Sequence, residues 1–213
     1  MVFVISSLCT TTLALERDYS KDILPDSWEL EESMGDWFYQ GETANYWSAA
    51  RVVSTLAETV CRNGNLLLNV VLRPDGTVAG NQEETLLEVG RWLAINGEAI
   101  YGSRPYKIMA EGIHRMKTRA EIKEEHLPNT PPVYSQEDIR FTTNKGAIYA
   151  IVLSQPTTEF LIKSVAGEVV MDMELVGNKQ KIIWKQKPEG LIVQPIFNTK
   201  QTELAVVYKI KVK

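Results

Sequence analysis

The sequence predicts an α/β region followed by an all-β region. In the first half, helical patterns alternate with short buried-strand patterns, and in the second half short apolar strands are separated by Gly, Pro and Asn. A polar stretch that contains several prolines lies between the two halves. We therefore expect a first domain over residues 1–110, a junction over 111–135 and a small antiparallel β-sandwich over 136–213.

The composition disfavours several classes of function. The formal net charge of -4 offers no basic surface for a phosphate backbone, so nucleic acid is not an expected partner. Cys9 and Cys61 are too few and too far apart for a disulfide framework, and only His114 and His126 could supply imidazole ligands. No segment reaches the roughly 18 apolar residues of a membrane span. We expect no metal, no cofactor and no membrane partner, and the sequence leaves the oligomeric state open.

The N-terminal segment favours a strand over a signal peptide. It is apolar in parts, but it has no Lys or Arg before Arg17 and no small-residue cleavage site. The run CTTTLALE is β-branched and apolar, which is typical of a buried strand. We place that strand at residues 10–15.

Two helices and a second strand follow. Val52, Leu56 and Val60 recur at helical spacing and predict an amphipathic helix over residues 48–61. The apolar run NLLLNVVL then predicts a strand buried on both faces at residues 65–72, and QEETLLEVGRWLAINGEA predicts a helix over 82–99. Part of a (β/α) barrel and an open sheet would both give this local pattern.

The region after the junction predicts six short strands. They cover residues 139–142, 147–153, 158–163, 169–175, 191–194 and 203–211. The last strand alternates apolar and basic residues, which is typical of a half-exposed edge.

Chemically useful side chains cluster after the first strand. In a barrel, reactive groups project from the carboxyl ends of strands, so Glu16 and Arg17 are candidates, and Trp28, Glu29 and Trp37 lie in the sequence that follows. A carboxyl group beside an indole can serve as a general acid, and aromatic rings stack on sugars. The alternative is structural: Glu16 pairs with Arg17 or caps a turn, and the two indoles are packing residues.

Four stretches, in the same order along residues 11–153, resemble glycoside hydrolase family 29, the α-L-fucosidases. They are ERDYSKDILPDSWELEESMGDWFY, GNLLLNVVLRPDGTV, VGRWLAINGEAIYGSRPY and YSQEDIRFTTNKGAIYAIVL. The resemblance implies the C-terminal portion of a (β/α) barrel followed by a β-sandwich. It also implies a fucosylated glycan or oligosaccharide as substrate, hydrolysed with retention by two carboxyl groups.

The resemblance also implies roles for single residues. Glu29 matches a Trp-Glu pair and is the favoured acid/base, while Glu16 is the alternative. Arg17, Trp28 and Trp37 are the expected substrate-binding residues. His114 and His126 lie in the junction and receive no sugar-binding role.

The chain also departs from the family pattern. The nucleophilic Asp belongs upstream of Glu16 and no residue here matches it, so we expect a truncated chain that is inactive alone. A half barrel has unpaired edges, so it should aggregate, assemble with a complementary fragment or fold only in its sandwich. Where the family commonly has Asn-Val-Gly-Pro, this chain has Asn69-Val70-Val71-Leu72-Arg73, which predicts a different loop.

A second functional hypothesis does not involve catalysis. The sandwich could act as a carbohydrate-binding or interaction module. Its aromatic residues fall mostly in expected core strands, which makes this the second choice.

Overall fold

The computed structural model describes residues 2–5, 13–42, 44–114, 133–196 and 204–213. These residues form two compact units, and the division falls between Arg91 and Trp92. The predicted division placed it near residue 110 instead. The predicted strand at 10–15 and the junction at 111–135 lie partly outside the described residues, and His126 and Cys9 lie entirely outside them.

The first unit is built on a four-stranded sheet. Its strands are β1 (Val2–Ile5), β2 (Leu13–Glu16), β3 (Trp28–Ser33) and β4 (Gly64–Asn69), in the order β1-β4-β3-β2. Strands β2, β3 and β4 are parallel, whereas β1 runs antiparallel along β4. The sequence did not predict β3 as a strand, because its alternating Glu residues and its position after a polar loop resemble a loop segment.

Helix α1 (Ala49–Val60) connects β3 to β4. It begins at its cap Ser48, whose Oγ accepts a hydrogen bond from the N–H of Arg51 at 3.3 Å. Its apolar stripe is fully buried, as the helical spacing of Val52 and Leu56 predicts. Helix α2 (Gly80–Asn96) follows β4 and ends in a 3₁₀ turn at Gly97–Ala99. The two predicted helices are thus confirmed.

The second unit contains two antiparallel sheets. Strands β5 (Arg104–Glu111), β6 (Ile139–Asn144), β7 (Ala147–Val152), β8 (Phe160–Ile162), β9 (Val170–Leu175), β10 (Ile183–Lys187), β11 (Gly190–Gln194) and β12 (Val206–Val212) form it. Their orders are β5-β6-β7-β12-β9 and β10-β11-β8. One apolar core joins residues from both sheets, among them Phe141, Phe160 and Tyr208, which confirms the predicted sandwich.

The prediction that the last strand is an edge was wrong. Strand β12 pairs with β7 on one side and β9 on the other. The basic residues that suggested an edge lie on the outward face of this interior strand, where Lys209 contacts Glu98 at 2.7 Å and Lys211 contacts Asp172 at 3.0 Å. The alternation of polar and apolar residues therefore reflects a strand with one face in the core and the other toward solvent, and not a strand at a free edge.

Candidate active site

The carboxyl ends of three parallel strands meet at one edge of the first unit's sheet. Glu16 pairs with Glu31 at the end of β2, and Ser33 pairs with Asn69 at the ends of β3 and β4. Barrel enzymes build their active sites at this edge, from strand ends and the loops that follow them. Glu16, Ser33, Asn69 and the loops behind them therefore form the candidate site.

Arg17 connects β2 to the loop that follows β3. Its backbone is left-handed, with a φ of 49°, and its N–H donates to the carbonyl oxygen of Glu31 at 3.0 Å. Its Nη2 donates to the carbonyl oxygen of Gly35 at 3.3 Å, and its guanidinium carbon lies 5.2 Å from the centre of the Trp37 ring. The structure thus brings the predicted residues Arg17 and Trp37 together, directly after the exposed Glu16.

Glu32 is a buried carboxyl group beside Arg17. Its side chain is 3% exposed, and its Oε2 lies 4.0 Å from Nε of Arg17. Burial raises the pKa of Glu32 to about 7, against the opposing effects of Arg51 and Arg17, and Glu16 raises it further. The charge next to Arg17 therefore changes near neutral pH. Sequence analysis missed Glu32, although its alternation with Trp28 and Leu30 placed it on the buried face of a strand.

Ser33 and Asn69 form a polar pair at the end of the sheet. Nδ2 of Asn69 donates to Oγ of Ser33 at 3.0 Å, and this hydroxyl donates to the carbonyl oxygen of Asp36 at 2.9 Å. The N–H of Met34 donates to the carbonyl oxygen of Asn69 at 3.0 Å. These bonds fix the start of the loop that carries Trp37. The signal for Asn69 was present in the sequence, as a polar residue that ends an apolar run.

Glu29 and Trp28 do not lie at this edge. Both are at the amino end of β3, opposite Asn65 and Gly64 of β4, and not in the loop where the sequence placed them. Partial burial raises the pKa of Glu29, and nearby Glu31 raises it further. A raised pKa suits a general acid, but the amino ends of barrel strands face away from the active site.

Trp28 occupies a structural position. Its side chain is fully buried, and its Nε1 donates to the carbonyl oxygen of Arg62 at 2.9 Å. An added Cβ at Gly64 would lie 2.6 Å from the Trp28 ring, so glycine is required for this close approach. The ring offers no face to a sugar, and we therefore leave it out of the candidate site.

The described residues offer no cluster suited to a metal ion. No group of three or more His, Cys, Asp or Glu side chains within them could hold one. His114 is in the second unit, where its Nδ1 lies 2.9 Å from Oδ2 of Asp138. No helix in the described part of the chain combines the length and apolar character needed to cross a bilayer.

Two family models match the chain in succession. Residues 5–98 match the model for alpha-L-fucosidase, and residues 134–213 match the model for the alpha-L-fucosidase C-terminal domain. The human tissue alpha-L-fucosidase is 30% identical over 185 residues, which are 84% of this chain and 35% of that protein. The chain spans about a third of the length of the curated relatives it matches.

Solved structures show the same fold. An alpha-L-fucosidase from Paenibacillus thiaminolyticus matches with a TM-score of 0.71 at 20% identity, covering 94% of this chain and 44% of that one. The Thermotoga maritima alpha-fucosidase in complex with fucose matches with a TM-score of 0.68 at 23% identity, covering 90% of this chain and 41% of that one. The predicted portion of a (β/α) barrel followed by a β-sandwich is thereby confirmed. From its two consecutive family matches and its similarity to fucosidases along most of its length, this chain belongs to the alpha-L-fucosidase family.

Proposed function

We propose that this chain carries the acid/base side of an α-L-fucosidase active site, and that the whole protein removes terminal α-linked fucose with retention of configuration. The observation that carries the proposal is the position of the exposed carboxyl group of Glu16 at the carboxyl ends of the parallel strands. Arg17 and Trp37 lie directly beside it, with 5.2 Å between the guanidinium carbon and the ring centre. A carboxyl group can act as the general acid of sugar hydrolysis, and a cation and an aromatic ring can bind the sugar.

Retention requires two carboxyl groups on opposite sides of the sugar. A nucleophilic Asp attacks the anomeric carbon while the acid/base residue protonates the departing oxygen, so the glycosidic bond breaks and a fucosyl ester forms. The same acid/base residue then removes a proton from water, which attacks the ester and releases fucose and the free carboxylate. In this proposal the Asp comes from the part of the relatives that this chain does not span.

We assign the acid/base role to Glu16 and not to Glu29. The sequence favoured Glu29, but its position at the amino end of β3 separates it from Arg17 and Trp37 along the strand. Glu16 lies at the end where barrel active sites form. Glu16 and Glu29 remain the two residues to compare experimentally.

Arg17 and Trp37 receive the substrate-binding roles. The Trp37 ring is half-buried, and one of its faces can pack against the apolar side of a fucose ring. The guanidinium group of Arg17 can donate to a sugar hydroxyl while its stacking on Trp37 holds it in place. The Thermotoga maritima protein, which shares this fold, was solved with fucose bound.

The proposal is tested by joining this chain to the part of a related alpha-L-fucosidase that it does not span, and measuring aryl release from an aryl α-L-fucoside. Activity in the extended protein, with none in this 213-residue chain, is the expected result. An aryl β-galactoside serves as the control substrate and should not be cleaved. A folded, extended protein that leaves the α-L-fucoside intact would overturn the assignment and favour a binding role for the sandwich.

A further inference from the structure

The loops that follow β3 and β4 are joined by a cluster of three side chains: Tyr39, Glu42 and Arg73. We propose that this cluster, here called the loop clamp, is a positioning device that holds the segment carrying Trp37 against the candidate site. None of the three residues is assigned a role by the resemblance. The inference rests on the proposed function in one respect: Trp37 must contact the sugar.

Arg73 binds Glu42 through two parallel hydrogen bonds. Its Nε donates to Oε1 at 2.5 Å and its Nη2 donates to Oε2 at 2.8 Å. The remaining nitrogen, Nη1, donates to Oγ1 of Thr77 at 3.0 Å and to the carbonyl oxygen of Val78 at 2.6 Å. A bidentate arginine–carboxylate pair has a fixed geometry, and here its arginine is also attached to its own loop.

Tyr39 completes the clamp on the other side. Its hydroxyl donates to Oε1 of Glu42 at 2.6 Å. The hydrogen bond from Arg73, followed by that from Tyr39, lowers the pKa of Glu42 to about 2. Glu42 is therefore ionised at neutral pH, and its hydrogen bonds with Arg73 and Tyr39 are those of a carboxylate.

The clamp supplements the contacts that Arg17 makes with this loop, to the carbonyl oxygen of Gly35 and to the ring of Trp37. The start of the loop is fixed by Ser33, and its end by the N–H of Trp47, which donates to the carbonyl oxygen of Met34 at 2.6 Å. Several hydrogen bonds between these ends are local, such as the one that the N–H of Trp37 donates to Oδ1 of Asp36 at 2.7 Å. Phe38 is 78% exposed, so its side chain adds little packing to this stretch. Tyr39, two residues after Trp37, is held by Glu42 and through it by Arg73.

The first test is hydrogen exchange of backbone amides in the 213-residue chain, followed for peptides covering residues 36–47. Arg73→Ala and Glu42→Ala should each raise exchange there by about 2- to 5-fold, the range expected for one exposed ion pair. The double variant should add little to either single variant, because the Arg73–Glu42 pair is lost in all three. Arg73→Lys, which keeps the charge but not the bidentate geometry, should fall between the wild type and Arg73→Ala.

Arg91→Ala is the matched control, since Arg91 is an exposed arginine on α2 and should leave these peptides unchanged. Unchanged exchange at 36–47 in Arg73→Ala would overturn the clamp, as would an increase spread equally over α1 and the sheet.

The second test uses the extended enzyme. Arg73→Ala should lower kcat/KM about 5-fold, mainly through KM, and leave the shape of the pH profile unchanged, because the clamp positions a binding residue. Unchanged kcat/KM would overturn the positioning role. If the extended wild type shows no fucosidase activity, the proposed function fails, and the exchange experiment still decides whether the clamp holds the loop.

Discussion

Trp28 and Glu29 are adjacent in sequence, yet their side chains lie on opposite faces of β3. The strand alternates buried residues at 28, 30 and 32 with half-buried residues at 29 and 31. Trp28 donates to the carbonyl oxygen of Arg62, which follows α1, so its face is the one covered by the helix. The indole therefore does not pack on the carboxyl group that follows it, and burial and Glu31 account for the raised pKa of Glu29.

The two candidate acids should differ strongly in the extended enzyme. Glu16→Ala should lower kcat on an aryl fucoside by about 10²- to 10⁴-fold, the usual contribution of general acid–base catalysis. Glu29→Ala should change kcat by less than about 3-fold, because Glu29 lies at the amino end of β3. Steady-state kinetics measure both. A large loss in Glu29→Ala with an active Glu16→Ala would return the acid/base role to Glu29.

Glu32 should make the first unit less stable as the pH rises. Its pKa is raised from 4.5 to about 7 in the folded chain, so the folded state holds a proton that the unfolded state releases between these values. The contribution of protonated Glu32 to the free energy of unfolding is complete below about pH 4.5 and is lost as the pH rises through 7. The loss amounts to roughly 3 kcal/mol at most.

Urea unfolding at pH 5 and pH 8 measures this effect. Glu32→Gln, which stays neutral, should unfold at more similar urea concentrations at the two pH values than the wild type does. Glu31→Gln is the control, because its half-buried side chain lies on the other face of the strand. Equal pH dependence in the wild type and Glu32→Gln would contradict the prediction.

Trp28 should matter for stability, and Trp37 for function. Trp28→Ala should cost about 3–5 kcal/mol of unfolding free energy, because it leaves a large cavity in a fully buried position. Trp28→Phe should cost less but still leave the Arg62 carbonyl without its indole donor. Trp37→Ala should cost under about 1 kcal/mol, because its ring is half-buried. Denaturant unfolding followed by circular dichroism measures both losses. A larger loss in Trp37→Ala than in Trp28→Ala would contradict the prediction.

Asp138 should be a stabilising residue of the sandwich unit. Its buried carboxyl group accepts hydrogen bonds from the backbone N–H groups of Ser135 and His114, at 2.6 and 3.0 Å, and from the Ser135 hydroxyl at 2.9 Å. Burial acts to raise the pKa of Asp138, but these bonds outweigh it and the pKa is lowered. The stabilisation is therefore present above about pH 4 and is lost as the pH falls through the lowered value.

Asp138→Asn should lower the unfolding free energy by about 1–3 kcal/mol at pH 7. The amide NH2 group of Asn is itself a donor, so it cannot accept the hydrogen bonds that the carboxylate oxygen accepts. The difference from the wild type should shrink below pH 4. Thermal unfolding checks both statements, with the exposed neighbour Glu137→Gln as control. A variant as stable as the wild type at pH 7 would contradict this role.

Regular patterns in the sequence predicted most of the fold. The helical spacing of Val52 and Leu56 predicts a helix. The apolar run that contains Leu66 predicts a buried strand. Strands β5 and β10 were missed because polar residues interrupt their apolar pattern, as Lys107 and Lys185 do. Propensity alone does not identify such strands, because pairing stabilises them, with the distant β6 for β5 and with the adjacent β11 for β10.

The candidate site was predictable only in part. The rule for strand ends singled out Glu16 and Arg17, and the structure places them at and directly after the carboxyl end of β2. Glu29 was expected in a loop but lies in β3, which was not recognised as a strand. Glu32 and Arg73 could not be found from local sequence, since their partners Arg17 and Glu42 lie 15 and 31 positions away.

Strand β1 occupies the outer edge of β4. Val2–Ile5 form hydrogen bonds along this edge in antiparallel orientation, where a closed barrel would place a parallel neighbour. A parallel strand could pair with β4 here only after these four residues had left. Such pairing would be an exchange of one strand for another, at a rate set by how readily β1 detaches from β4.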